Sequence, residues 1–166
     1  LMEQTRDTAN LAVPQGAEVV FIGQIETHNP IRAFFPPSTR TAMHASGTGK
    51  AILAELPEDQ VRQLLTRAGL ERFTASTHTT PVELFEDLEA IRARGWSFDK
   101  EERHDGMSCI GSAIFDEYAK PIAGVSISGP SIRFDPARVS EFGAAVAQAA
   151  AEITERSGGV MPSRRG

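Results

Sequence analysis

Two apolar runs, Met107-Ser108-Cys109-Ile110-Gly111-Ser112-Ala113-Ile114-Phe115 and Ile122-Ala123-Gly124-Val125-Ser126-Ile127-Ser128, are separated only by residues 116–121. Six residues are too few for the crossover a parallel neighbour needs, so the two runs are expected to pair as an antiparallel hairpin. The signals around them extend this hairpin into a layer. Residues 18–26 form a β-branched apolar run after the turn Pro14-Gln15-Gly16 and predict a buried strand, with residues 31–35 as its partner, stopped by Pro36-Pro37. Residues 96–101 predict one more strand. Helices are expected at Lys50-Ala51-Ile52-Leu53-Ala54 and after Pro57, where Val61, Leu64, Leu65 and Ala68 share a face and Gly69 stops the run. Thr80-Pro81-Val82-Glu83 is a capping box ahead of the stripe Leu84, Phe85, Leu88 and Ile91, which ends at Gly95. Asp135 caps a long helix begun by Pro136, with Val139, Phe142, Val146, Ala149 and Ile153 at three-to-four spacing. Strand, helix, helix, strand, strand, helix predicts an α+β fold, an antiparallel sheet with helices packed on it.

At 166 residues the chain suits one domain. Residues 8–158 are expected to form it, with residues 1–7 as the end of an upstream linker helix and residues 159–166 as a disordered tail. The start at Leu1 suggests a fragment of something longer. With 17 basic against 22 acidic residues, the chain lacks the positive footprint that neutralising phosphates requires, so by itself it is not expected to bind DNA. Its single cysteine, Cys109, excludes an internal disulfide and zinc-type cysteine pairs, and a reducing cytoplasm is the expected setting. No stretch approaches about eighteen apolar residues, so no membrane span is expected.

The stretch Met43-His44-Ala45-Ser46-Gly47-Thr48-Gly49-Lys50-Ala51 resembles half of a phosphate-binding loop. His44 stands where the first glycine belongs and Ala51 replaces the magnesium-binding hydroxyl, so the motif fails as a nucleotide site. What remains is a small-residue turn opening an apolar helix, whose free amides favour an anion. In residues 122–129 a period of two places Ala123, Val125 and Ile127 on one face and Gly124, Ser126 and Ser128 on the other. If that second face meets solvent the hydroxyls carry no chemistry; if it lines a cavity they suit a small polar ligand. Cys109 shares a face with Met107 and Gly111, either as a small buried hydrophobe or as a thiol in a site. His28, His44, His78 and His104 are scattered without metal spacing, and Glu101-Glu102-Arg103-His104 is either a solvated charge run or, with Cys109, a metal-touching turn. No Gly-x-Ser-x-Gly elbow supports serine hydrolysis.

Taken in order, four stretches carry a resemblance to the ligand-sensing domain of the IclR family of bacterial transcription regulators. They are His44-Ala45-Ser46-Gly47-Thr48-Gly49-Lys50-Ala51; Asp87-Leu88 with Arg94-Gly95-Trp96-Ser97-Phe98-Asp99-Lys100-Glu101-Glu102; Gly106-Met107-Ser108-Cys109-Ile110; and Ala123-Gly124-Val125-Ser126-Ile127-Ser128-Gly129-Pro130. The resemblance implies a GAF-like or profilin-like curved antiparallel sheet whose concave face holds a small organic effector, with a winged helix-turn-helix ahead of this domain. It implies no cofactor, no metal and no catalysis. The expected partners are a small carboxylate effector, further copies of the chain as a dimer or tetramer, and DNA only through the missing domain.

Carried over by motif, the amides of Gly47 and Thr48 would hold the carboxylate of a small oxo or hydroxy acid similar to glyoxylate or pyruvate. Met107, Asp99, Cys109, Ser126 and Ser128 would surround its other end. An ionised Asp99 beside a ligand carboxylate would repel it unless the ligand offers a donor or burial raises the pKa of Asp99, which favours a hydroxy acid or a hydrated aldehyde acid. Lys50 and Arg40 either add positive field near the turn or, as exposed basic residues mostly are, are simply solvated. Thr41-Ala42-Met43 and Phe34-Phe35-Pro36-Pro37 depart from the family pattern where the lid forms. The rival readings are a thiol enzyme using Cys109, a metal-dependent one using Glu102, His104 and Cys109, and a purely structural oligomerisation module.

Overall fold

The computed structural model describes residues 1–30, 32, 33 and 35–163. Among these, six strands form one antiparallel sheet: β1 (Thr8–Gln15), β2 (Glu18–Ile25), β3 (Arg40–Ala42), β4 (Ser97–Lys100), β5 (Met107–Phe115) and β6 (Pro121–Pro130). Their spatial order is β3-β2-β1-β6-β5-β4, curled into a half-barrel. The expected hairpin is β5 with β6, its turn built on Asp116, whose Oδ1 accepts the amides of Tyr118 at 2.8 Å and Lys120 at 3.0 Å.

Alternation gives the sheet two unlike faces. On one, Ile110, Ile114, Val125 and Ile127 pack beneath α5 (Pro136–Arg156), which Asp135 caps through the amide of Arg138. Gly143 makes this packing possible, because a Cβ there would lie 2.3 Å from the Trp96 indole. The buried stripe of α5 runs through Val139, Phe142, Val146, Ala150 and Thr154, one residue later at its end than the expected Ala149 and Ile153. Thr154 is buried because its Oγ1 accepts the amide of Phe115 at 3.1 Å, and Ile153 turns outward. On the other face lie α2 (Gly47–Ala54), α3 (Glu58–Ala68) and α4 (Pro81–Arg94), whose Ile52, Leu53, Val61, Leu84, Leu88 and Ile91 close a second core over Ala12, Val19 and Phe21.

Caps follow the sequence closely. Ser46 Oγ accepts the amide of Gly49 at 3.1 Å, and Gly69 and Gly95 stop their helices at positive φ. Thr80 Oγ1 accepts the Glu83 amide, but Glu83 accepts the amide of Thr79, one residue beyond the N-cap amide of the reciprocal box. Three strand expectations need correction. The partner expected for β2 at residues 31–35 is absent among the described residues: β2 pairs with β1 and β3, residues 32, 33 and 35 are not in a strand, and Ile31 and Phe34 lie outside the described residues. β2 is covered on one side only, so Ile22 and Ile25 are more than half exposed. The strand expected at 96–101 is shorter, and Glu101 leaves it at positive φ.

At the start of the chain α1 (Met2–Thr5) ends at Arg6 in the left-handed conformation. In the expected tail, the amide of Gly159 donates to Thr154 and that of Val160 to Asp116, while residues 164–166 lie outside the described residues. No helix among the described residues is long and apolar enough to cross a membrane.

Candidate functional site

Because β4, β5, β6 and β1 pair in register, Asp99, Cys109, Ser128 and Thr8 stand in one row across the sheet. Ser97, Gly111, Ser126 and Asn10 form the next row on the same face, opposite to the Ile110 and Ile127 side. All of these residues are buried, so the reading that left Ser126 and Ser128 in solvent is overturned.

The start of α2 is pressed onto this polar face, and glycines allow the approach. A Cβ on Gly47 would meet Cys109 Sγ at 2.7 Å, and one on Gly111 would meet the Gly47 carbonyl carbon at 2.6 Å. One on Gly124 would meet Thr48 Cγ2 at 2.3 Å. Ser97 Oγ donates to the carbonyl of Gly47 and ties the helix start to β4. Within α2 the first amides have no acceptor; Ser46 satisfies that of Gly49, and the N–H of Gly47 is directed at Cys109.

A cavity of about 30 Å³ lies between helix start and sheet, with Gly47, Asp99, Met107, Cys109 and Ser128 at its wall. Phe35, stacked on Phe21 with ring centroids 4.7 Å apart, also lines it, as do Arg103 and His104. Thr48 and Ser126 sit behind that wall, in the seam between α2 and the sheet, where neither Thr48 Oγ1 nor Ser126 Oγ makes a hydrogen bond of good geometry. A larger cleft of about 520 Å³, between α3 and the β1–β2 turn, has a mostly apolar lining. His44 lines it and is engaged at 2.8 Å by the carbonyl of Glu71.

Burial dominates the titration of the wall. It pushes the Asp99 carboxyl up to about 7, with the charge of Glu102 adding to the rise and Lys50 opposing it; Asp99 Oδ1 accepts the Glu102 amide at 2.8 Å. Burial, with the charge of Asp99, pushes the Cys109 thiol up to about 11 against the hydroxyls of Ser128 and Ser126 and the Gly47 amide. The thiol is therefore the wrong protonation state for a nucleophile. Alkylation by iodoacetamide at pH 8 is expected to be about a hundredfold slower in the native chain than in urea. Mass spectrometry of timed samples checks this, and equal rates would contradict it.

Beneath the cavity lies a charge cluster that corrects the expectation for Lys50. The side chain is wholly buried, with Nζ 2.6 Å from Asp87 Oδ2, 2.8 Å from Glu102 Oε1 and 2.8 Å from the carbonyl of Phe98. Burial alone would lower its pKa, but Glu102 and Asp87 outweigh burial and hold it above the usual lysine range. Asp87 is also desolvated, yet the hydrogen bond from His78 at 2.9 Å and the charge of Lys50 bring it down to about 2. Glu102 is therefore no part of a solvated run. Arg40 is half exposed and faces Glu18 at 3.7 Å, as the solvated reading expects. The metal set Glu102, His104 and Cys109 is not assembled. Among the described residues the ligand atoms that converge within 4.8 Å belong to His78, Asp87 and Glu102, and the Lys50 ammonium already lies among their oxygens.

The sequence profile for "Bacterial transcriptional regulator IclR C-terminal" matches residues 1–155. The HTH-type transcriptional regulator BhcR of Paracoccus denitrificans is 51% identical over 154 residues, covering 93% of this chain and 55% of that protein. The transcriptional repressor IclR of Escherichia coli is 46% identical over 162 residues, covering 96% and 59%. The crystal structure of Thermotoga maritima IclR superposes with a TM-score of 0.90 at 34% identity, covering 95% of this chain and 64% of that one, and shares the GAF-like α+β fold. The chain thus spans between half and two thirds of these relatives. It belongs to the IclR family of bacterial transcriptional regulators and corresponds to their C-terminal ligand-binding domain.

Proposed function

We propose that this domain senses a small oxo or hydroxy carboxylic acid, similar to glyoxylate or pyruvate, and passes its occupancy to a DNA-binding domain in the same protein. The observation that carries the reading is the facing of two walls. Amides at the start of α2 stand against Asp99, Cys109 and Ser128 in one strand row, with Ser126 in the next. The amide wall suits a carboxylate; the opposite wall supplies hydroxyls and a carboxyl for a second oxygen. A cavity of about 30 Å³ supports a ligand of few heavy atoms, since an aromatic acid would have to displace Phe35 and Met107. In this reading the chain works as a homodimer or tetramer, and the ligand shifts the balance of subunit arrangements by its difference in affinity between them.

A thermal-shift series with glyoxylate, pyruvate, glycolate, lactate, succinate semialdehyde and aromatic acids tests this. An acid at about 100 times its Kd is expected to raise Tm by about 5–10 °C. The double substitution Ser126→Ala with Ser128→Ala is expected to abolish the rise. Stabilisation by aromatic acids alone would overturn the size argument, and no response to any acid would leave an oligomerisation module.

A further inference from the structure

Resting on the carboxylate reading above, we propose that Arg103 is a specificity-determining residue of this site, which selects ionised acids over neutral molecules of the same shape by setting its guanidinium edge against the ligand's carboxylate. Arg103 lines the same cavity as Gly47, Asp99, Cys109 and Ser128. The lining holds one other basic side chain, His104, and burial, with the charge of Arg103 adding to it, holds that imidazole below the ordinary 6.5. Lys50, beneath, is already matched by Asp87 and Glu102. At pH 7 the cation open to a ligand at this wall is therefore Arg103.

The protein leaves its charge unanswered. Among the described residues the guanidinium makes no ion pair and no hydrogen bond, and its contact is with the ring of Phe73, 4.2 Å from the centroid. Stacking occupies a face of the plane and leaves free the N–H edge, which can hold a carboxylate by two parallel bonds. The carboxylates just before it are engaged: Glu101 accepts the Gly106 amide and Glu102 holds Lys50. The mount is also fixed. Thr74 Oγ1 donates to the carbonyl of Glu101 and Thr77 Oγ1 to that of Glu102, both at 2.6 Å, so the loop that carries Phe73 also ties down the backbone leading to Arg103. An arm held in this way has less freedom to lose when an anion arrives. A cavity of about 30 Å³ keeps the charge of any ligand close to its wall. Backbone amides also bond a neutral carbonyl, whereas a cation gains from net charge, so the distinction between an acid and its amide rests chiefly on Arg103.

Calorimetric titration of the purified chain at pH 7 with glycolate and glycolamide, and with pyruvate and pyruvamide, pairs alike in shape and different in charge, tests this. The wild-type chain is expected to prefer the acid of each pair. Arg103→Gln is expected to lower the acid-to-amide affinity ratio about tenfold while amide binding changes by less than about threefold. Arg103→Lys keeps the charge without the planar edge and is expected to recover only part of the ratio. Raising NaCl from about 50 to about 300 mM is expected to weaken acid binding more in the wild type than in Arg103→Gln. If Arg103→Gln does not fold, Arg103→Met reads out the same ratio. An unchanged ratio in the folded variant overturns the proposal, as does a wild-type chain that binds acid and amide equally. A wild-type chain that binds neither acid removes the carboxylate reading itself.

Discussion

Replacing Lys50 with methionine is expected to destabilise the domain by about 3–5 kcal/mol, seen in urea titration as a fall in midpoint of about 2 M. The volume is nearly kept, so the loss reports charge and not packing. Asp87 and Glu102 both lie within 3 Å of Nζ, and Glu102 and Asp99 are buried beside them. Removing the ammonium leaves carboxylates in low dielectric with no counter-charge, the costly half of a broken buried pair. Set against a typical total of about 5–15 kcal/mol, that loss brings the domain near the threshold of folding. Adding Asp87→Asn and Glu102→Gln is expected to restore most of it, because neutral amides need no cation. The sign of the pH dependence follows from Asp87. Its folded pKa, about 2, lies below the ordinary 3.8, so its contribution is complete above the unfolded value and disappears as pH falls through 2. The acid slope between pH 4 and 2 is expected to flatten in Lys50→Met. An unchanged midpoint in the single variant would show that the ion pairs contribute nothing net.

Asp99→Asn is expected to do the opposite and stabilise the domain by about 3 kcal/mol at pH 8. The folded carboxyl titrates near 7 and the unfolded one near 3.8, so the unfolded chain gives up its proton first. Between these values stability falls as pH rises, and above 7 the full penalty is present. Asparagine removes the penalty while its Oδ1 can still accept the Glu102 amide. Below pH 4 both states of the wild type are protonated, and the variant should match it. Denaturation midpoints at pH 4, 6 and 8 check this: a gap that widens with pH is expected, and a variant less stable at pH 8 would contradict it. The same titration bears on function, because a carboxylate ligand entering beside Asp99 raises that pKa further and takes up a proton. Binding is therefore expected to tighten from pH 8 to pH 6, a dependence that Asp99→Asn removes.

What the sequence disclosed depended on the distance over which each interaction acts. The β5–β6 hairpin was legible because its turn is local, and the shared face of Ser126 and Ser128 followed from strand period alone. Their burial did not, since that depends on α2 arriving from 70 or more residues away and on Gly47, Gly111 and Gly124 yielding space. Lys50 was misjudged for the same reason. Its partners lie 37 and 52 residues further along, and nothing near it hints at burial. β1 was missed because Thr8-Ala9-Asn10-Leu11-Ala12-Val13-Pro14-Gln15 mixes polar, small and proline residues; its regularity comes from neighbours on both sides. β2 was judged too buried because an apolar run does not say which of its faces is covered.

The place of β1 in the middle of the sheet sets a schedule for biosynthesis. Made before β6, this strand forms its hairpin with β2 but keeps one edge bare until residues 121–130 appear, roughly 6–20 seconds later at about 5–20 residues per second. Through that interval the nascent chain carries an unpaired edge open to wrong partners. That edge is where a mispairing of the unfinished sheet is expected to begin.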